Sequence, residues 1–340
     1  MTSLEDRDTV IRLIGGYMIA NAIRAAGHLH IFARLDAAPG TTSEDLGATL
    51  GASEPHLRRL LSLLQLAGLI HETHGHFQLT RLGEILVPGR QGSLAEFAQN
   101  FTSPLFQRAW DHLETSVTTG APGFDIEYHQ SIYDYLADDD AANTLFNLAM
   151  HEESGATAEA AAALIDLEQD ETVIDIGGGD GTFLATLLSA NPTARGIVFD
   201  STAGISAARG IIECAGVAGR CEARDGDFFT AIPTTGTTYI IKSVLQDWDD
   251  DRAVDLLRVC KDQMPAGARL IILGNFLPDI HDDAAAVGYL TDLCMLVISG
   301  GRERTLNDLN SLLEHAGFPT HALRATRVGP LTAVELSGAL

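Results

Sequence analysis

The residues best suited to chemistry lie in one stretch, VIDIGGGDGTFLATLL, residues 173–188. An apolar run enters, glycines turn the chain, and a helix-forming run leaves. Glycine admits positive φ and lets backbone approach a ligand closely. A dinucleotide loop needs G-x-G-x-x-G, and here Thr182 stands at the third glycine. Asp175, Gly177, Gly179 and Gly181 instead complete D-x-G-x-G-x-G. An acid ahead of the glycines repels a pyrophosphate but suits the cationic amino group of a methionine moiety. The next β-rich run, GIVFD, ends in Asp200, which suits a pair of ribose hydroxyls in either cofactor class. RDGDFF then offers Asp227 and Phe228, an acid and a ring for an adenine amino group and face. In this order, each at a strand end, the three pieces point to S-adenosylmethionine.

These residues need a sheet to carry them. From about residue 171, TVIDIG, GIVFD, YIIKSVL and RLIILGN alternate with stretches of helix length. That alternation predicts an open, mainly parallel α/β sheet, whose ligands bind at the carboxyl ends of its strands. HALRATRV and LTAVELS, flanking Gly329-Pro330, predict a closing antiparallel pair. Residues 91–165 read as helices, among them SLAEFAQNF, LFQRAWDHLETSV, QSIYDYLADD and AANTLFNLAMHEESGATAEAAAALI. Residues 41–90 read as a winged helix. Thr42 or Ser43 caps one helix, a second ends near Gly68, and IHETHGHFQLT makes a hairpin about Gly75. Ahead of it, Val10, Ile11, Leu13, Ile14, Met18, Ile19, Ala22 and Ile23 recur at helical spacing and require an apolar partner.

Bulk composition excludes several classes. The 340 residues carry a formal charge of -24, with Lys242 and Lys261 as the lysines. A nucleic-acid reader or a partner of anionic membranes needs a cationic face, so the winged helix reads as a dimerisation module. No apolar run reaches the roughly 20 residues that span a bilayer, and the acidic N-terminus is not a signal peptide. Scattered Cys214, Cys221, Cys260 and Cys294 read as reduced thiols of a cytoplasmic protein. No histidine or cysteine spacing suggests a metal; His281-Asp282-Asp283 reads as a solvated turn.

Taken together, the DIGGGDG loop, GDFF, the DW pair at 247–248 and GGRERT at 300–305 resemble the class I S-adenosylmethionine-dependent O-methyltransferases of the plant caffeate and bacterial natural-product type. The resemblance spans nearly the whole chain. It implies a Rossmann-like catalytic domain at 166–340, substrate-pocket helices at 101–165 and a winged-helix dimerisation domain at 1–100. It also implies a homodimer through N-terminal helices and a small aromatic or polyketide hydroxyl compound as substrate. Asp175, Gly177, Gly179, Asp200, Ser201, Gly226, Asp227, Phe228, Lys242, Ser243 and Trp248 fall on or beside the family's cofactor positions, with S-adenosylhomocysteine as product. Trp110, Met150, Tyr289 and Met295 are its candidate pocket walls.

Two departures bear on the chemistry. The family's base is a histidine where this chain has Gln246, and a glutamate that brackets it is here Gly274. The second glutamate remains as Glu303. Positioning of two reactants contributes roughly 7–11 kcal/mol, whereas a general base typically adds about 10²–10⁴-fold. Methyl transfer by proximity therefore survives the loss, above all for an acidic phenol, an enol or a carboxylate. Gln246 would orient the acceptor; His151 and His112 are the other candidate bases, Asp292 is a candidate substrate contact and Glu303 the retained acid, while Asp247 reads as a structural hydrogen bond. The alternatives are methylation at nitrogen or carbon, or use of an unconsumed S-adenosylmethionine as a fixed positive charge for pericyclic cyclisation, hydroxylation or decarboxylation.

Overall fold

A computed structural model describes residues 4–319, 323–328 and 331–336. They form two compact units, Met1–Gln107 with Leu148–Glu153, and Arg108–Asn147 with Ser154–Leu340.

The first unit is helical with a small sheet. Thr42 caps the helix Ser43–Leu50 by accepting from the Asp45 N–H at 3.1 Å. The helix Glu54–Leu66 buries Leu57, Leu61 and Leu64, one stripe at helical spacing. Strands β1 (Thr41–Thr42), β2 (Ile70–Thr73) and β3 (His76–Leu79) pair antiparallel in the order β1-β3-β2. His74 and Gly75 both take positive φ at the β2–β3 turn, as a two-residue hairpin requires. Ala26, Ile31, Phe32, Leu35, Leu46, Ile70 and Phe77 complete the core. The helix Leu4–Ile14 contributes nothing to it, and Leu4, Leu13 and Ile14 are 81%, 75% and 65% exposed.

The second unit is built on β4 (Thr172–Ile176), β5 (Arg195–Asp200), β6 (Cys221–Asp225), β7 (Thr238–Lys242), β8 (Arg269–Leu277), β9 (Arg304–Thr305), β10 (Leu323–Val328) and β11 (Leu331–Leu336). Their order is β10-β11-β8-β7-β4-β5-β6, with β9 alongside β8. β4 to β8 run parallel, and the final hairpin is antiparallel. The Gly329-Pro330 turn proposed between the last strands lies outside the described residues.

Near-continuous apolar strands are what a sheet covered on both faces needs. Ile174, Ile176, Ile241 and Ile272 pack into one layer, and Val173, Val198, Ile240 and Ile271 into the other. The chain leaves β4 toward β5 and β6, then returns to β7 on the far side, so the order reverses between β4 and β7. Open α/β sheets bind ligands at such a point.

The stretch LFQRAWDHLETSV, expected as one helix, is two, Pro104–Trp110 and Leu113–Thr119. His112 leaves helical geometry at the break, and its Nε2 lies 2.9 Å from Glu127.

Candidate active site

The glycine loop leaves β4 at the switch point. Gly177, Gly179 and Gly181 all have positive φ, at 70°, 53° and 77°. Gly177 has a second reason to be glycine, because a Cβ there would lie 2.5 Å from Val244 Cγ2. Asp200, at the end of β5, holds the loop. Its Oδ2 accepts from Gly179 N–H at 2.9 Å and its Oδ1 from Ser201 N–H at 2.6 Å. A carboxylate has about four acceptor sites, so both oxygens keep capacity for ligand hydroxyls.

Asp175 is 1% exposed, and its Oδ2 has no hydrogen-bond partner among the described residues. Burial pushes its carboxyl up to about 7, against the opposing pull of Lys242. A buried acid with an open oxygen is a place for a ligand cation. Lys242, itself buried, donates to Ser154 Oγ at 3.5 Å. Ser243, next on the chain, holds a positive φ of 56°. Strained backbone of this kind costs of order 1–3 kcal/mol and gathers at functional sites.

After β6, Gly226 leads into an exposed turn closed by Asp227, which accepts from Phe229 N–H at 2.9 Å and the Thr230 hydroxyl at 2.8 Å. Phe228 and Phe229 both meet Trp248 edge-on, at 6.2 and 4.7 Å. The Trp248 indole N–H is buried with no partner among the described residues. Open glycines, a buried acid with an open oxygen and a buried indole N–H without a partner among the described residues fit a ligand with a cationic end, hydroxyls and a flat ring.

The turn Leu245–Asp247 follows β7. Gln246 lines a cavity of about 20 Å³ that Gly274, Asn275, Phe276 and Glu303 also border. Positions 246, 274 and 303 thus meet, although far apart in sequence. A Cβ at Gly274 would meet no described atom closer than Phe276 Cε2 at 4.0 Å, so neither packing nor φ demands glycine there. Asp247 receives a hydrogen bond from the Tyr133 hydroxyl, and burial pushes its carboxyl up to about 7, helped by Glu303 and Asp200. Burial likewise drives the Tyr133 phenol well above its ordinary value.

Residues 110–319 match the O-methyltransferase domain, and residues 11–89 match the O-methyltransferase dimerisation domain. The chain belongs to the O-methyltransferase family. It is similar to O-demethylpuromycin-O-methyltransferase of Streptomyces alboniger, 37% identical over 94% of this chain and 85% of that protein. The solved structure of LaPhzM superposes with a TM-score of 0.89 at 33% identity, covering 98% of this chain and 99% of that one. NcsB1, an O-methyltransferase from neocarzinostatin biosynthesis, was solved with S-adenosylmethionine and 2-hydroxy-5-methyl naphthoic acid. It gives 0.78 at 28% identity, over 94% of this chain and 95% of that one. This chain is accordingly an S-adenosylmethionine-dependent methyltransferase with a class I fold.

Several nominated residues of the methyltransferase have other partners. Asp292 Oδ1 accepts from Glu303 N–H at 2.9 Å, so it braces the loop. Tyr289 stacks on His281 at 4.7 Å and accepts from Asp282 N–H at 3.1 Å. Trp110 and Met295 are only part-covered. Met150 and His151 belong to the first compact unit. Three contributors carried no motif that could have announced them: Tyr133, which stacks on Trp248 at 5.3 Å, Val244, and Ser154. Among the described residues no group of His, Cys, Asp or Glu is placed to hold a metal, and no helix is long and apolar enough to cross a membrane.

Proposed function

We propose that this O-methyltransferase methylates a hydroxyl of a small aromatic or polyketide-type natural product without an imidazole base. The observation carrying this reading is that Gln246, Gly274 and Glu303 border one cavity. The position of the family's base therefore holds an amide, and the position of its orienting acid holds nothing.

When bound, S-adenosylmethionine supplies a methyl carbon on a positively charged sulfur. Asp175 holds the cationic amino end, with Lys242 balancing its charge. Asp200 accepts from the ribose hydroxyls while fixing Gly179. Asp227, Phe228 and Trp248 take the adenine edge and face, and Gly177, Ser201, Gly226 and Ser243 line the approach with backbone. Gln246 hydrogen-bonds the acceptor oxygen and aims it, with Trp110 and Met295 as walls. Glu303 and Asp292 keep the neighbouring loop in place.

Aiming contributes the larger share of the rate, roughly 7–11 kcal/mol against about 3–5 kcal/mol for a base. The enzyme therefore favours acceptors that ionise unaided, such as phenols made more acidic than their usual pKa of about 10 by a conjugated carbonyl. Replacing Gln246 by Ala tests the role. Turnover falls while S-adenosylmethionine affinity holds; unchanged turnover would make Gln246 a bystander.

We further propose a homodimer. The apolar face of Leu4–Ile14 is exposed inside a unit whose sequence matches a dimerisation domain, and a second copy is what would cover it. The free thiols Cys214, Cys221, Cys260 and Cys294 fit a cytoplasmic protein.

The paired replacement at 246 and 274 also favours a second reading, in which the cofactor stays whole as a fixed charge for cyclisation, hydroxylation or decarboxylation. Product mass separates the two readings.

A further inference from the structure

The turn that carries Gln246 is short and weakly closed by its own bonds. Asp247 N–H reaches Val244 O at 3.1 Å, and Trp248 N–H reaches Leu245 O at 3.4 Å, long for a hydrogen bond. Something else fixes it. The guanidinium of Arg304 is 4% exposed and spans the turn. Nη1 donates to Leu245 O at 2.5 Å and Nη2 to Trp248 O at 2.9 Å, the carbonyls on either side of Gln246 and Asp247. Nε and Nη2 also reach Asp250 Oδ1, at 3.1 and 2.8 Å. Charged donors make the stronger hydrogen bonds, so these outweigh the turn's own.

A second feature presses on the same turn. A Cβ at Gly301 would overlap the Gln246 carbonyl oxygen and lie 2.5 Å from the Asp247 carbonyl carbon and 2.8 Å from Trp248 N. Glycine is the residue that permits this contact. The loop is anchored in its turn. Arg304 pairs with Phe276 of β8, Glu303 N–H binds Asp292, and Arg302 pairs with Asp308 at 2.9 Å.

Stability does not account for Arg304. Burying a guanidinium costs several kcal/mol, and buried ion pairs are often no better than apolar packing. Here the partner, Asp250, is half in water. The geometry points to Arg304 as a positioning residue: with Gly301 it moulds the 245–248 turn and so aims Gln246 and Trp248. This deepens the reading above, in which both residues face ligands.

Trp248 reports the turn directly, because Trp110 is the other tryptophan. In a Trp110→Phe background, acrylamide quenching of Trp248 is measured with and without S-adenosylhomocysteine, for Arg304→Gln, Arg304→Lys and Gly301→Ala. The expected result is at least a twofold rise in the quenching constant for Arg304→Gln and Gly301→Ala, with partial rescue in Arg304→Lys. Quenching equal to the parent in both Arg304→Gln and Gly301→Ala overturns the inference, whatever happens to stability. If the cofactor does not bind, the apo measurement still decides the inference, and the failure belongs to the functional reading.

Discussion

The backbone N–H of Gly179 donates to Oδ2 of Asp200 at 2.9 Å, so one carboxylate both shapes the glycine loop and presents itself at the end of β5. Replacing Asp200 by Ala removes a loop bond and, on the proposed reading, a ribose acceptor with it. The expected loss of S-adenosylmethionine affinity is about 1–3 kcal/mol, roughly five- to 150-fold in Kd. Titration calorimetry reads it, and equal affinity would remove the assignment.

If Asp175 holds the cofactor's amino group as proposed, binding should depend on pH. Its carboxyl, pushed up to about 7 by burial, is half protonated near neutrality when no ligand cation is near. A cationic amino group favours the ionised form. Affinity should therefore rise from pH 6 to pH 8 and level off above. Asp175→Asn should bind weakly with no such slope. A wild-type Kd flat across this range would show that no cation approaches Asp175.

Asp247 should appear in the stability of the free protein. Its folded value of about 7 lies above the roughly 3.9 of an unfolded chain, so the folded state binds the extra proton between them. The stabilisation is fully present below about pH 4, declines as pH rises, and is gone above about pH 7. Thermal melts of Asp247→Asn should match wild type near pH 4, gain on it as pH rises to about 7, and hold a constant lead above that. Parallel melting curves would contradict the burial of this charge.

Gly274 leaves room for a test by restoration. Since a Cβ there meets nothing nearer than 4.0 Å among the described residues, Gly274→Glu is accommodated at its root. Combined with Gln246→His, it should raise turnover of weakly acidic phenols by roughly 10²-fold, the low end of general-base catalysis, with little gain for acidic ones. The rate ratio between two phenols of different pKa measures this.

Leu13→Asp with Ile14→Asp places charges on the exposed N-terminal face. Sedimentation should find wild type at twice the 36.2 kDa chain mass and the variant at the chain mass. An unchanged dimer would put the interface elsewhere.

Much of the candidate site was legible in sequence because it lies on local motifs. D-x-G-x-G-x-G marks a strand, a turn and a helix at once, and GIVFD ends where its strand ends. The winged helix showed itself through a cap at Thr42 and a turn at Gly75. What sequence could not show was contact across distance. Tyr133 sits in an ordinary helical stretch, and only the fold brings its phenol to Asp247. LFQRAWDHLETSV has unbroken helical periodicity, yet His112 leaves the helix beside Glu127, a partner that periodicity cannot see. The close approach of Gly301 to the Gln246 carbonyl likewise joins residues far apart in sequence.

The most direct test is mass spectrometry of the enzyme with methyl-labelled S-adenosylmethionine and a pool of hydroxylated aromatic and polyketide compounds. One compound should carry the labelled methyl on oxygen, with an equal amount of S-adenosylhomocysteine. A compound that isomerises, gains oxygen or loses CO₂ while the labelled cofactor stays whole would contradict methyl transfer.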